Sequence, residues 1–458
     1  MVGKPIIRND RGRVYALFAI ITIAAACGNL SQTAVNAMMP GILGEFGVDV
    51  GLGQWLTTSY MLVLGVTVPV ATFFARRFST KQHVLIAFAF FGIGALMDCF
   101  AANFWMLLAG RIFQAISTGL LMPLMQTIAM TRFPMDRRAT AMGVAGIAMG
   151  FAPNIGPTIG GAMIFSFGWR SFFYLLLAMV LLLAVAAMLF IVSEKAVDGK
   201  AKLDVVSLMQ STLGFGGLLL AFSNASSFGL ASPFIWVPLV LGALFLVFFV
   251  RRQKRVDDPL INMDIFASKQ FYTGFMALNF LNASFMGITL VIPLYIEGLC
   301  GGTSLEAGLV LLPGTAAALF LNPIAGALVD RIGVRPVVMV SGALLVVGSI
   351  VMAFIDETTP LFAVTLLQAF RAFGVSGLMA PLISWSLADL PRAIVTDGSS
   401  FCIAVRQACA SLGTSAMVFI ITIVSATAAP PALAYQLAFA FSAVFAVATF
   451  VYIAARVR

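Results

Sequence analysis

Apolar residues fill this chain in long runs, and its polar residues gather in the short connections between them. Runs that are apolar all around the helix belong to segments surrounded by other helices or by lipid. About 20 such residues are enough to cross the hydrocarbon core of a bilayer. The pattern predicts fourteen spans, near 14–39, 54–75, 83–101, 105–130, 140–166, 171–193, 205–225, 233–250, 271–296, 305–329, 335–355, 360–387, 397–425 and 434–455. The seventh holds Gln210 and several glycines, and its connection to the eighth, from Asn224 to Ser232, carries no charge. Composition agrees: the 458 residues are 61% hydrophobic and 10% charged, where soluble domains carry about 25% charged residues.

Charge orients the spans. With the N-terminus in the cytoplasm, 23 of the 27 Lys and Arg residues fall in the tail, the C-terminus or cytoplasmic loops. Only Arg170 falls in an outer loop, while Arg111, Arg371 and Arg406 lie within spans. One span more or fewer would invert every later loop, so the bias toward the inside supports fourteen with both ends cytoplasmic. The net charge of +9 is therefore an orientation signal rather than a nucleic-acid surface. The apolar pattern continues past Cys27 to Met39, which reads as an uncleaved first helix rather than a signal sequence. The five cysteines show no metal spacing, Cys99 and Cys300 share the outer side, and the single histidine, His83, reads as a solvated helix-end residue.

The chain also repeats itself. Ser117-Thr118-Gly119-Leu120-Leu121-Met122-Pro123-Leu124 recurs as Val375-Ser376-Gly377-Leu378-Met379-Ala380-Pro381-Leu382, and Phe74-Ala75-Arg76-Arg77-Phe78-Ser79-Thr80-Lys81 echoes Leu328-Val329-Asp330-Arg331-Ile332-Gly333-Val334-Arg335. Two echoes at nearly one offset predict a six-helix bundle over 1–195, two additional spans with linkers over 196–268, and a second six-helix bundle over 269–458. Parallel halves of this kind place a substrate site at their interface.

These residues resemble the major facilitator superfamily, and within it the fourteen-helix drug:proton antiporter group. The resemblance rests on Gly326 to Arg335 as the cytoplasmic signature, on Arg111, Gln114, Gly119 and Pro123 in span four, and on Gly156-Pro157-Thr158-Ile159-Gly160-Gly161, followed by Trp169-Arg170, in span five. Thr33 to Asn36 with Pro40 matches the end of span one. It implies an all-α integral membrane fold in the cell's inner membrane and export of small molecules by alternating access. The energy source it implies is a proton gradient with no cofactor. A periplasmic adaptor would be a further partner of the same kind.

Physical reasoning assigns roles. Asp330 and Arg331 sit at a helix turn where a carboxylate can accept bonds from a helix N-terminus and pair with arginine, with Gly326, Gly333 and Arg335 completing a cytoplasmic latch. Gly156, Pro157, Gly160 and Gly161 form a helix that bends and packs closely. A charge inside a span should face a cavity or a partner, which makes Arg111, Arg371 and Arg406 candidates for the cavity wall with Ser31, Thr33, Asn36, Gln114 and Asn154. Asn279 and Asn282 are weaker candidates.

Two departures bear on mechanism. Ser31 stands where the family carries an acid, and Arg76 stands where the first signature carries aspartate. No acid lies in the middle of a span; Asp98 and Glu297 come closest and are the candidate proton carriers. Three readings stay open: a proton carried by one of these acids, an anionic substrate drawn to the arginines, or an uncoupled facilitator. A transporter-like sensor or scaffold without flux is the competing class. An enzyme is disfavoured, since there is neither a Cys-His pairing nor a phosphate-binding glycine loop.

Overall fold

The computed structural model describes residues 10–192, 203–225, 232–256, 259–425, 427 and 430–457. Lys4, Arg8, Lys195, Lys200, Lys202 and Arg458, counted above among the cytoplasmic charges, lie outside these residues. The described residues form α-helices joined by short turns. We number the spanning helices α1 (Asp10–Phe46), α2 (Trp55–Arg77), α3 (Thr80–Cys99), α4 (Phe104–Arg132), α5 (138–167), α6 (Arg170–Phe190), α7 (Val205–Ala225) and α8 (Pro233–Gln253). They continue with α9 (269–298), α10 (Ser304–Ile332), α11 (Val334–Met352), α12 (Leu361–Ala388), α13 (Val395–Ser425) and α14 (Pro431–Arg456). Thirteen are long and apolar enough to cross a membrane without interruption of their pattern. The remaining one, α5, is divided into Arg138–Gly146, a π-helical stretch Ile147–Phe151, and Ala152–Phe167.

Helix ends follow local chemistry. Ser79 caps α3 and Thr303 caps α10, each in a reciprocal capping box, with Gln82 and Glu306 respectively. Gly333 ends α10 at φ +85° and Gly168 ends α5 at φ +77°, conformations that a side chain would strain. The chain turns back at once after each.

Helices α1–α6 pack as one bundle and α9–α14 as another. Between them in sequence, α7 and α8 pack on each other, and α7 also rests against α2 and α13. The bundles meet through α2 with α13, α5 with α10 and α12, and α4 with α13. His83 is not solvated: although Thr80, Lys81 and Gln82 before it are partly or fully exposed, it lies on the inward face of the first turns of α3 and is fully buried against the ring of Phe74. All five cysteines are free thiols.

Candidate substrate cavity and cytoplasmic gate

The bonds between the two bundles lie toward the cytoplasmic side. Asp330, at the end of α10, accepts from the backbone amides of Ala139 (3.1 Å) and Thr140 (2.7 Å) and from the Thr140 hydroxyl (2.6 Å), at the start of α5. A carboxylate placed on a helix N-terminus meets unpaired amides and a favourable dipole. Gly326 brings the helices together, since a β-carbon there would stand 2.1 Å from the Ala139 carbonyl oxygen. Gly143 meets the Asn322 backbone on α10 as closely, at 2.4 Å. Arg331 and Arg335 are exposed, and Asp330 pairs with amides and a hydroxyl rather than with arginine. The expected ion pair is absent because the helix N-terminus already supplies the donors.

A second link joins the other side of the interface. Arg76 of α2 donates to both carboxylate oxygens of Asp397, in the first turn of α13, at 3.0 and 3.3 Å, and also to the Pro259 carbonyl at 3.0 Å. Asp397 is buried and takes a further bond from the Asn262 amide. Just above, Ser399 donates to Gln126 of α4 at 2.6 Å and Thr127 to Thr396 at 3.1 Å. At the outer side the bonds stay within each bundle: Glu45 holds Trp169 and Arg170 in the first, and Tyr295 reaches the Asp356 carbonyl in the second. The ends of the two bundles at Asp330 and Asp397 are bonded together, and their opposite ends share no hydrogen bond among the described residues.

Of the α5 glycines, Gly156 and Gly160 make a close approach to α1, and the irregularity of the helix lies earlier than Pro157. A β-carbon on Gly156 would meet the Thr33 hydroxyl at 2.1 Å and one on Gly160 the Ala34 carbonyl at 2.6 Å, so α5 lies directly on α1. Gly161 has ordinary room. Pro157 has no amide for the Pro153 carbonyl, and Thr33 fills the vacancy by donating to that oxygen at 2.7 Å. The helix unwinds instead at the π-helical stretch, five residues and more before Pro157. There Asn29 of α1 donates to the Ala148 carbonyl (3.0 Å), and Asn322, from the opposite bundle, donates to the Gly146 carbonyl (3.1 Å). The loosened turn of α5 is thus tied to both halves.

Arg111 does not line the interface between the bundles. Together with Ser31, Tyr60, Asp98 and Gln114 it is fully buried inside the first bundle. One guanidinium nitrogen donates to Ser31 (2.5 Å) and to Gln114 (2.9 Å), and its carbon sits 4.4 Å from the centre of the Tyr60 ring. The Ser31 hydroxyl donates to Gln114 (2.7 Å), whose amide nitrogen donates to Asp98 (2.7 Å). The glycines at 94 and 110 let α3 and α4 approach closely enough for this, since a β-carbon at Gly110 would collide with Asp98. One oxygen of Asp98 and two nitrogens of Arg111 have no hydrogen-bond partner among the described residues. Ser31, Arg111 and Gln114 are therefore corrected from cavity wall to internal polar cluster. A polar stripe on α4 shows a buried face without showing what covers it.

Arg371 is the counterpart in the second bundle. It is buried among Ser349 (2.8 Å), Ser442 (2.9 Å), the Ser284 carbonyl (3.4 Å) and Gln368 (3.4 Å), again away from open space. Asn279 and Asn282 donate to carbonyls one turn back on their own helix. Glu297 is exposed at the outer end of α9, without the enclosure that a proton carrier needs, and Asn36 is exposed and bonded to Thr57.

Arg406 is placed differently. It is half-buried and has no hydrogen-bond or ion-pair partner among the described residues. It lies seven residues beyond Ser399, two helical turns along, and so on the face of α13 that Ser399 turns toward α4. Elsewhere at the interface a cavity of about 60 Å³, which Arg406 does not line, is bounded by Gly150 and Asn154 of α5, Asn322 of α10 and Gln368 and Ser376 of α12 among other residues. Asn154 thus reaches the interface, and Thr33 lies at the α1–α5 seam beside it. Asn322, Gln126 and Asp397 were not singled out from the sequence. The signal for Asp397 was an acid in the first turn of a span.

Residues 21–414 match the family model described as Major Facilitator Superfamily. The chain is 32% identical to the uncharacterized MFS-type transporter YcnB of Bacillus subtilis, over 89% of this chain and 86% of that protein. It is 31% identical to the lincomycin resistance protein LmrB of Listeria monocytogenes, over 90% of this chain and 87% of that protein. Its fold is similar to the human organic anion transporter MFSD10, with a TM-score of 0.68 at 14% identity over 96% of this chain and 99% of that one.

Proposed function

The chain belongs to the major facilitator superfamily, a family of carriers rather than enzymes, and on that premise we propose that it exports small amphipathic or weakly acidic compounds across the cytoplasmic membrane. The observation that carries this reading is Arg406, half-buried and without a hydrogen-bond or ion-pair partner among the described residues, on the face of α13 that Ser399 turns toward α4. An arginine held at membrane depth is costly unless something compensates it, and an anionic group on the substrate does so. Similarity to a lincomycin resistance protein supports export of foreign or toxic compounds. The closed cytoplasmic gate is the state in which an exporter releases cargo outside. Return to the inward-facing state requires the Asp330 cap and the Arg76–Asp397 pair to break, and the loosened turn of α5 offers the joint.

Proton coupling is assigned to Asp98. Its free oxygen can take a proton without breaking an existing bond, and Gln114 links it to Arg111. Deprotonation strengthens the attraction between Asp98 and Arg111, protonation weakens it, and α3 and α4 are the helices that would feel the difference. The Arg76–Asp397 pair supports a working first-half turn and so weighs against one of the two grounds for a sensor without flux, the other being Ser31.

The test is efflux of cationic, neutral and anionic compounds from cells, with and without a proton uncoupler, in wild type, Arg406→Ala and Asp98→Asn. Uncoupler-sensitive export of anionic compounds, lost in Arg406→Ala, is the expected result. Cation export that survives Arg406→Ala would overturn the substrate assignment. Unchanged uncoupler sensitivity in Asp98→Asn would overturn the coupling assignment.

A further inference from the structure

The inserted pair α7 and α8 ends on the cytoplasmic side in a crevice of about 390 Å³, lined by Gln210 of α7 and by Phe248, Arg251, Arg252, Arg255 and Val256 at the end of α8. Positions 248, 251, 252 and 255 recur at the spacing of one helical face. The base of the crevice is held by side chains that are already engaged. Asp204 takes Arg252 in a two-bond fork at 2.9 and 3.0 Å, and Gln253 donates to Ser207 at 2.6 Å while accepting from the Ile261 amide at 3.0 Å. Arg252 is thereby half-neutralised and fixed in place.

What remains is unspent. Arg251 and Arg255 are exposed, and their guanidinium groups have no hydrogen-bond or ion-pair partner among the described residues. The side-chain oxygen of Gln210 is buried and has no donor among the described residues. The crevice therefore offers guanidinium donors for an anion and, beside them, one acceptor waiting for a hydroxyl. On the same two helices Met209 and Leu213 of α7 and Leu241 and Leu244 of α8 are exposed apolar residues. Arginine forks suit phosphate oxygens, and basic pockets between spanning helices on the cytoplasmic side suit anionic headgroups.

We propose that this crevice binds an anionic phospholipid of the cytoplasmic leaflet, with the phosphodiester on Arg251 and Arg255, a headgroup hydroxyl on Gln210, and the acyl chains along α7 and α8. The site gives the two additional helices a role that the transport path does not require.

Native mass spectrometry of protein exchanged from nanodiscs reads the lipid retained. The discs contain phosphatidylcholine alone or mixed with phosphatidylglycerol, which carries both the charge and the hydroxyls. Wild type should retain phosphatidylglycerol about fivefold or more over phosphatidylcholine. Arg251→Ala with Arg255→Ala should abolish the preference, the double lysine variant should keep part of it, and Gln210→Leu should weaken it. Normal export by the alanine variant would show that it folds. Equal retention of the two lipids, or a preference untouched by the alanine pair, would overturn the proposal. Inorganic phosphate that displaces the lipid would reassign the crevice to a free anion.

Discussion

The two turns at the cytoplasmic ends of α2 and α10 occupy equivalent places in the two halves, yet they carry opposite charges. At the α10 turn the acid is on the turn itself, and Asp330 reads the bare amides at the start of α5. At the α2 turn the position holds Arg76, and the acid, Asp397, stands in the first turn of the helix it faces. Both arrangements put a carboxylate at the N-terminus of a helix from the opposite half, where the dipole favours it. The difference shows that a signature can lose its aspartate and keep its purpose, provided that the partner helix supplies the missing charge.

The largest effect should come from making the two turns alike on one side only. Arg76→Asp sets two carboxylates together and removes a buried acid's partner, a loss of about 3 kcal/mol, or roughly a hundredfold in the balance between closed and open gates. Cytoplasmic thiol-labelling rates at a cysteine placed at Ser399, buried behind the gate, should rise accordingly. Adding Asp397→Thr, which copies the Thr140 arrangement, should recover most of the loss. If the double variant labels as fast as the single one, the equivalence of the two turns is wrong.

Asp330→Ala should cost less, about 1–2 kcal/mol, because it removes a charged cap while its donors can turn to water. The same labelling assay checks the order of the two. Thr33→Val tests the joint rather than the latches. It leaves the Pro153 carbonyl without a donor and should lower stability by about 1–3 kcal/mol, read as a fall in the melting temperature of purified protein, with gate labelling little changed.

The ion pair Asp204–Arg252 is a control outside the gate. Burial alone would raise the Asp204 carboxyl, but the bonds from Arg252 and Ser207 outweigh it and bring its pKa down to about 2. A lowered value means that the pair's contribution is fully present above the ordinary carboxylate range and is lost only as pH falls through about 2. Asp204→Asn should therefore cost under about 1 kcal/mol, screened as the pair is by solvent, and by the same amount at any pH between 5 and 8. A loss that grows across that range would show that another group titrates there.

Much of this was legible in the chain. Long apolar runs and the loop charges marked the spans, the two echoes suggested two halves, and Asp330, Gly326 and Gly156, singled out from motif and spacing, stand at close contacts between helices. What escaped has one physical cause. In a soluble helix the apolar stripe says which face is inside, whereas a membrane helix is apolar all around and its polar residues mark only a covered face. Arg111 and Arg371 are buried inside their own bundles, whereas Arg406 is half-buried without a hydrogen-bond or ion-pair partner among the described residues, which no spacing distinguishes. Arg76 and Asp397 are 321 positions apart, and each alone reads as a loop charge or a helix end.

The account stands most directly on the two latches together holding the gate closed. Spin labels on exposed cytoplasmic positions of opposite halves, Met135 and Arg392, would measure the distance between the bundles in membranes for wild type, Asp330→Ala, Asp397→Ala and the pair. The prediction is a short distance in wild type, a mixture of short and long in each single variant, and a predominantly long one in the pair. A short distance that persists in the pair would contradict it.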